Sequence, residues 1–328
     1  MYANRNVLVA GGTGTIGVPL IGLLLESRAN VTVSSVDEPA YAKRLLGPRV
    51  RFLREDLTEL DACLRVTEGQ DIVFNLVGIK GSVGIGETKV ASYFVPMLRF
   101  QANLMEAAFR RNVARYLFVG SICGYPQADV HYEDNMWNGM PKQNDRYAGI
   151  AKRVGELQGE TYLKEFGWDA VRIVRPSNVY GPYDDFNAQT AQVIPALIRR
   201  AVDGEDPLRV WGDGSAVRDF IYSGDVAYWC MQALEKAPAC TPINLGSGKR
   251  CTIREVAETI ANSLPSPPRI EWDNSKPSGD PVRVMSVDRA AALIGFEPRT
   301  SLKDGIAQTI EWYLNNRSLA SQRKNLVA

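Results

Sequence analysis

Short apolar runs alternate with amphipathic stretches over the first 175 residues of the chain. Runs such as residues 7–10 and 71–77 contain few polar positions, a pattern typical of strands buried on both faces of a parallel sheet. The other predicted strands are residues 31–33, 50–53, 116–119 and 170–174, and the predicted helices are residues 16–26, 96–111 and 150–166. Strands separated by helices predict right-handed βαβ crossovers and a doubly wound α/β sheet.

The pattern changes after Arg175, where proline and glycine interrupt the regular alternation. We expect residues 1–175 to form a dinucleotide-binding domain and residues 176–328 to form mainly a smaller α/β substrate-binding domain. A strand near residues 241–246 is expected to return to the first sheet, so that the domains are partly interleaved. The polar residues from Asn316 onward predict a frayed tail.

Composition excludes several classes of protein. The 328 residues are 45% hydrophobic and 23% charged, which is typical of a globular chain. Thirty-eight Lys+Arg residues against 37 Asp+Glu leave a net charge of +1, so no general attraction to nucleic acid or membrane is expected. Because no apolar run approaches the roughly 18 residues of a membrane span, the sequence predicts a cytoplasmic protein.

Cysteine and histidine usage limits the available chemistry. The five cysteines are dispersed and form no CxxC pair, so neither a disulfide framework nor a metal site is predicted. The single histidine, His131, leaves no basis for a histidine ligand set and little for a Ser/His/Asp triad.

A glycine-rich loop between the first strand and the first helix is the strongest chemical signal. Its glycines, Gly11, Gly14 and Gly17, let backbone amides approach a pyrophosphate at the positive end of the helix dipole. Thr13, Thr15 and Ile16 lie in the same loop. This context predicts a Rossmann-type fold that binds NAD or NADP.

The identity of the nicotinamide cofactor depends on the end of the second strand, where an acidic residue would bind the adenosine ribose. Asp37 lies twenty residues after Gly17, whereas a tighter register places Ser35 there, with Lys43 and Arg44 downstream. The sequence therefore favours NAD only slightly.

Two other glycine clusters give weaker signals. Residues 246–250 resemble part of a phosphate loop, but Ile243 and Arg250 occupy positions that need glycine and Ser/Thr, so a nucleotide-hydrolysing loop is rejected. Residues 81–86 fit a loop over the cofactor or an ordinary flexible loop equally well.

Several blocks along nearly the whole chain resemble the extended short-chain dehydrogenase/reductases. The order of blocks is similar to that of the GDP-L-fucose synthases and related nucleotide-sugar epimerases. These blocks are residues 80–84, 120–126, 175–182, 193–197, 211–214, 218–220 and 276–279, together with the glycine loop, Asp56, Leu57 and residues 76–78.

The resemblance implies a nucleoside-diphosphate sugar held beside a nicotinamide cofactor. The cofactor contacts it implies are Asp56, Leu57, Leu76, Val77, Gly78, Lys152, Pro176 and Val179. The substrate contacts it implies are Asn178, Val193, Leu197, Arg200, Trp211, Arg218 and Lys276. Guanidinium groups suit a diphosphate because they can bind it in a bidentate manner.

The family's catalytic groups are a Ser, a Tyr and a Lys four residues after the Tyr. Ser121 and Lys152 match two of them, but the fourth residue before Lys152 is Ala148, and Tyr147 precedes Lys152 by five residues. Five helical steps leave two side chains about 140° apart. Either a distortion at the helix start restores Tyr147, or the protein works without this tyrosine.

A second departure concerns epimerisation, for which fucose synthases use a Cys and a His. Cys123 matches the Cys, but Gln192 stands at the His position, and a carboxamide does not exchange protons near neutral pH. Cys123 is then either an acid/base that handles one proton or a small buried thiol.

The sequence predicts an NAD(P)-dependent epimerase or ketoreductase acting on a nucleotide sugar. The alternative is a non-catalytic or redox-sensing dinucleotide-binding relative with an altered Tyr/Lys pair. The helices near residues 96–111 and 150–166 correspond to those of the family's dimer contact, which implies a homodimer.

Overall fold

A parallel sheet lies at the centre of the computed structural model, which describes residues 1–79, 90–276 and 278–322. The strands of the described ranges are β1 (Asn6–Ala10), β2 (Asn30–Ser35), β3 (Arg51–Arg54), β4 (Ile72–Asn75), β5 (Arg115–Val119), β6 (Val130–His131), β7 (Val171–Pro176), β8 (Asn178–Tyr180), β9 (Leu208–Trp211), β10 (Val217–Arg218), β11 (Phe220–Tyr222), β12 (Pro242–Leu245), β13 (Cys251–Thr252), β14 (Ile270–Asp273) and β15 (Val282–Met285). The helices are α1 (Gly17–Glu26), α2 (Pro39–Leu46), α3 (Leu60–Val66), α4 (Val90–Arg110), α5 (Arg146–Phe166), α6 (Val193–Val202), α7 (Ser223–Lys236), α8 (Ile253–Asn262), α9 (Asp288–Ile294), α10 (Leu302–Asn315) and α11 (Arg317–Gln322).

The sheet has seven strands in the order β12-β7-β5-β4-β1-β2-β3, and every neighbouring pair is parallel. The chain runs outward from β1 through β2 to β3 and then crosses to the other side of β1 at β4. This reversal of strand order opens a crevice at the carboxyl ends of β1 and β4, the usual ligand site of such sheets. The predicted Rossmann-type α/β fold is confirmed.

Helices cover both faces of the sheet because its strands are apolar on both sides. On one face Leu20 and Leu24 of α1 share a buried cluster with Cys230 and Leu234 of α7. On the other face α4 and α5 pack against β4, β5 and β7. Because α7 and β12 come from the second half of the chain, that half completes the first core, and the division at residue 175 stays a prediction.

A separate apolar core lies among α6, α8 and α10. It contains Ile194 and Ile198 of α6, Ile260 of α8 and Ile306 of α10. Short sheets formed by β9 with β14, by β8 with β11, and by β13, β10, β15 and β6 surround this region. It supplies the residues that face the crevice from the second half of the chain.

Two predicted boundaries are wrong. Helix α4 spans Val90–Arg110 with Pro96 inside it, whereas the sequence suggested a helix beginning at that proline. The tail predicted to fray from Asn316 forms α11 over Arg317–Gln322, where Leu319 and Ala320 are buried, and the rest of the tail lies outside the described residues.

A buried ion pair ties β7 to α5 behind the crevice. The guanidinium of Arg175 donates to both carboxylate oxygens of Glu156, at 3.0 and 2.6 Å, and these side chains are only 1% and 2% exposed. Arg175 also donates to the Tyr125 hydroxyl and to the Glu133 carbonyl. Each nitrogen of the Arg175 guanidinium therefore donates at least one hydrogen bond. Because the buried charge is paired in this way, it holds α5 in place relative to the sheet.

Candidate active site

The glycine loop connects β1 to α1 at the strand-order reversal. The Gly14 amide donates to the Gly11 carbonyl at 3.1 Å, which closes a tight turn. A Cβ atom at Gly17 would lie 2.4 Å from the Gly12 carbonyl oxygen, so only glycine fits there. The helix that follows has no side-chain cap at its N-terminus, which leaves amide donors suited to a pyrophosphate.

The end of β2 meets this loop through three polar side chains. The hydroxyls of Thr13 and Ser35 both donate to Asp37 Oδ2, at 2.6 and 2.7 Å. The backbone amide of Asp37 in turn donates to the Ser35 hydroxyl. Both alternatives considered for the ribose position, Ser35 and Asp37, therefore lie together beside the glycine loop.

The ends of β4 and β5 form the other wall of the crevice. Lys152 of α5 donates to the Val119 carbonyl at 2.8 Å and to the Val77 carbonyl at 3.4 Å. Burial lowers the pKa of Lys152 to about 8. Lys152 therefore connects two segments at the carboxyl end of the sheet. One is residues 76–78, which follow β4, and the other is the end of β5, which leads to Ser121.

Ser121 stands directly after the Gly120 turn at the end of β5. Its hydroxyl accepts the Cys123 amide at 3.1 Å and caps a short 3-10 helix, Ile122–Gly124. Burial and the Asp145 carboxylate raise the pKa of the Cys123 thiol to about 11. Ser121, Cys123 and Lys152 thus all lie at the carboxyl end of β5, and their catalytic role stays a prediction.

Tyr147 lies apart from this group. Helix α5 is regular from Arg146 onward, so no distortion returns the Tyr147 side chain to the face of Lys152. The Tyr147 side chain is 40% exposed and contacts the ring of Phe94, whereas Lys152 is 8% exposed. A Cβ at Gly149 would lie 2.2 Å from the Cys123 carbonyl oxygen, so α5 packs directly against the Cys123 turn at this glycine.

The remaining predicted cofactor contacts lie along the same edge of the sheet. Asp56, after β3, is exposed and accepts the Thr58 amide, while Leu57 is buried. Pro176 ends β7, and Val179 of β8 packs against the core beneath α1. Together with residues 11–17, Ser35, Asp37, Val77, Ser121 and Lys152 they form what we call the cofactor half of the site.

The predicted substrate contacts form the substrate half, which consists of Asn178, Val193, Leu197, Arg200, Trp211, Arg218 and Lys276. Here Asn178 donates to the Asp219 carbonyl, while Leu197 is buried in the core of the second region. Trp211 is 62% exposed, and Lys276 Nζ lies 5.9 Å from the centre of its ring. This pair offers a flat surface with a positive charge beside it.

Both arginines of the substrate half already have partners in the protein. Arg200 donates to the two carboxylate oxygens of Glu205 and to the Arg209 carbonyl. Arg218 donates to the carbonyls of Val217 and Asp280. A diphosphate would have to replace Glu205 as the partner of Arg200.

Sequence reasoning missed two charged residues near Cys123. Asp145, just before α5, and Arg283 of β15 form an ion pair of 2.8 Å. Arg283 also donates to the Ile122 carbonyl at 3.1 Å. No local motif marks either residue, because the fold brings them together from distant parts of the chain.

Three other features of the sequence are not among the predicted contacts or fall outside the described residues. Ser247, in the rejected phosphate-loop segment, donates its amide and hydroxyl to Asp219 Oδ1, so the loop binds a buried carboxylate of the protein. His131 is buried against Tyr125, and burial lowers its pKa to about 4. The block at residues 80–84, the glycine cluster at 81–86 and Pro277 fall outside the residues that the structure describes.

The comparisons with known proteins agree with this geometry. Residues 7–246 match the NAD dependent epimerase/dehydratase family. GDP-L-fucose synthase 1 of Arabidopsis thaliana is 35% identical over 243 residues, which cover 72% of this chain and 74% of that protein. The GDP-L-fucose synthase of Escherichia coli is 31% identical over 335 residues, which cover 96% and 98%. An epimerase from Methanothermobacter thermautotrophicus has a TM-score of 0.83 and 25% identity, covering 98% of this chain and 95% of that one.

The chain belongs to the NAD dependent epimerase/dehydratase family. It is an NAD(P)-dependent enzyme of the nucleotide-sugar epimerase and reductase class, and the prediction of this class is confirmed. The non-catalytic alternative is not favoured. In the described part of the chain, no helix has the length and apolar character needed to cross a bilayer.

Proposed function

We propose that this protein reduces a keto group on a sugar carried by a guanosine diphosphate. The observation that carries the proposal is the meeting of Ser121, Cys123 and Lys152 at the crevice between the cofactor and substrate halves. The relatives named GDP-L-fucose synthase support a GDP-linked substrate. A keto sugar is the substrate that such a site reduces by hydride transfer.

The cofactor half fits a nicotinamide dinucleotide. The glycine loop would hold the pyrophosphate, Asp37 the adenosine ribose, and Lys152 the nicotinamide ribose. The nicotinamide, when bound, supplies the hydride that reduces the sugar carbon. Asp37 favours NAD over NADP, since its carboxylate is held at the loop by Thr13 and Ser35 and would repel a 2′-phosphate.

Reduction without epimerisation is supported by residue 192. Gln192 lies just before α6, where its backbone carbonyl accepts the Ala196 amide, and its carboxamide does not act as an acid or a base near neutral pH. Epimerisation needs acid/base groups on both faces of the sugar, and this site lacks one of them. The site is therefore suited to reduce a ketone without epimerising the neighbouring carbons. The substrate half would hold the nucleotide on Trp211 and Lys276 and the diphosphate on Arg200 and Arg218.

The protein would act as a homodimer through α4 and α5. Val95 of α4 and Val154 and Leu157 of α5 are 47%, 41% and 41% exposed, although all three are apolar. Exposed apolar side chains on two adjacent packed helices favour a second copy as the covering surface. Sedimentation at several protein concentrations would test this state.

A substrate and cofactor panel tests the proposed function. Purified protein would be mixed with NADH or NADPH and with 4-keto sugars linked to GDP, dTDP or UDP, and oxidation of the reduced nicotinamide would be followed. We expect turnover of a GDP-linked ketone, with NADH preferred over NADPH. The Asp37→Asn substitution should reduce the ratio of activity with NADH to activity with NADPH. Tight cofactor binding without turnover of any keto sugar would contradict the proposal and support a non-catalytic binding protein.

A further inference from the structure

Cys123 lies in a turn that is held from three directions. Ser121 accepts its amide at 3.1 Å, and Arg283 donates to the carbonyl of the preceding Ile122 at 3.1 Å. Gly149 of α5 approaches its carbonyl so closely that a Cβ would lie 2.2 Å from the oxygen. The backbone of Cys123 is therefore held beside Ser121 by these contacts.

The thiol faces one carboxylate that is itself held in place. The charge of the Asp145 carboxylate raises the pKa of the Cys123 thiol, in addition to the larger effect of burial. Arg283 holds Asp145 in an ion pair of 2.8 Å, with the two side chains only 15% and 20% exposed. The other titratable groups that face Cys123 are Tyr93 of α4, Lys152 of α5 and Arg283 of β15, and the charge of Arg283 opposes that of Asp145 by lowering the pKa of the thiol.

The residue that the family uses as a proton donor is not available at its usual position. Ala148 stands four residues before Lys152, and Tyr147 is on a more exposed side of α5. Reduction of a ketone nevertheless needs a proton on the carbonyl oxygen, close to Ser121. Cys123 carries an S–H group two residues after Ser121, and its backbone amide donates to the Ser121 hydroxyl.

The geometry points to Cys123 as the proton donor to the reacting sugar oxygen, with Asp145 as a positioning residue that the ion pair with Arg283 holds near this cysteine. Its role toward the sugar rests on the proposed function, whereas the state of the thiol does not. A free cysteine has a pKa of about 8.5 and would be partly thiolate in mild alkali. Burial and the Asp145 carboxylate raise the pKa to about 11, close to that of a phenol.

The proton and electron balance is simple. The carbonyl carbon receives a hydride, and with it an electron pair, from the reduced nicotinamide. The S–H bond of Cys123 breaks and an O–H bond forms on the sugar. The thiolate left behind lies near the Lys152 ammonium and regains its proton from water.

The state of the thiol can be measured without substrate. Alkylation of full-length protein by iodoacetamide would be followed at Cys123 by peptide mass spectrometry between about pH 7 and 10. In the wild type we expect the rate to rise about tenfold per pH unit with no plateau, because only the thiolate reacts. Asp145→Asn should shift this profile to lower pH by about one unit or more.

The matched control is Asp134→Asn. Asp134 also pairs with an arginine, Arg289, but is 82% exposed, so its substitution should leave the profile unchanged. A wild-type plateau near pH 8.5, or equal profiles for wild type and Asp145→Asn, would overturn the positioning role.

Single-turnover reduction tests the proton donor. Cys123→Ser should slow reduction about 100-fold or more while the dissociation constant for NADH changes less than about twofold. A larger loss in Tyr93→Phe or Tyr147→Phe than in Cys123→Ser would overturn Cys123 as the donor. If the wild type reduces no nucleotide-linked ketone, the proposed function and the donor role fail together, and the alkylation profile alone decides the role of Asp145.

Discussion

The cofactor half and the substrate half of the site are built in different ways. The cofactor half consists of strand ends and a glycine turn, and Thr13 and Lys152 there are 6% and 8% exposed. The substrate half places Trp211 at 62% exposure and neutralises Arg200 with Glu205. The backbone forms most of the cofactor half before a ligand binds. The substrate half depends on side chains such as Arg200, whose charge is already paired within the protein.

This difference indicates how the two ligands would bind. A dinucleotide would meet amides and a lysine that need little rearrangement, because the fold of the sheet sets their positions. A nucleotide sugar would exchange an internal ion pair for a new one, so part of its binding energy is offset by the loss of the Arg200–Glu205 contact. We therefore expect substitutions in the cofactor half to have the larger effects.

Gly17→Ala should cause the largest loss. The added methyl would lie 2.4 Å from the Gly12 carbonyl oxygen and would force the first turn of α1 away from the loop. Overpacking of this kind costs up to about 3 kcal/mol, so we expect cofactor affinity to fall by about 100-fold. Isothermal titration with NAD and NADH would measure the change.

Gly22→Ala is the control for Gly17→Ala, since it lies in the same helix and a Cβ there would meet no atom within 4 Å. It should keep the affinity of the wild type and raise stability by roughly 0.5–1 kcal/mol. Equal affinities in the two variants would show that the loop does not hold the cofactor.

Lys152 should give the next largest effect, and its effect should depend on pH. Burial lowers its pKa to about 8, so the charged form prevails below that pH and is lost as the pH rises through it. We expect wild-type cofactor affinity to fall several-fold across this range, and Lys152→Met to bind about tenfold more weakly at neutral pH. The affinity of Lys152→Met should not change with pH, and a wild-type affinity that is also constant would remove the assigned role.

The position of the glycine loop between β1 and α1 was predictable because its signals are local in sequence. Gly11, Gly14 and Gly17 form one turn, and the strands that lead to it are short buried runs. The arrangement around Cys123 was not predictable, because Asp145 and Arg283 become neighbours only when β15 packs beside the turn. Helix periodicity left two alternatives open for Tyr147, and it could not show that Gly149 lies against Cys123.

Glu205→Gln should produce the smallest change, and in the favourable direction. Removing the carboxylate frees Arg200 of α6 for a substrate diphosphate, and a partly exposed ion pair of this kind corresponds to a change of about two- to fivefold. We expect the KM for the nucleotide sugar to fall by that factor while cofactor affinity stays constant. Glu271→Gln is the matched control, since it removes the same charge from an exposed ion pair. In this pair Glu271 lies in β14 and Arg209 lies in the neighbouring β9. An equal fall in both variants would mean that overall charge, and not the release of Arg200, governs substrate binding, and the contrast between the two halves would then lose its physical basis.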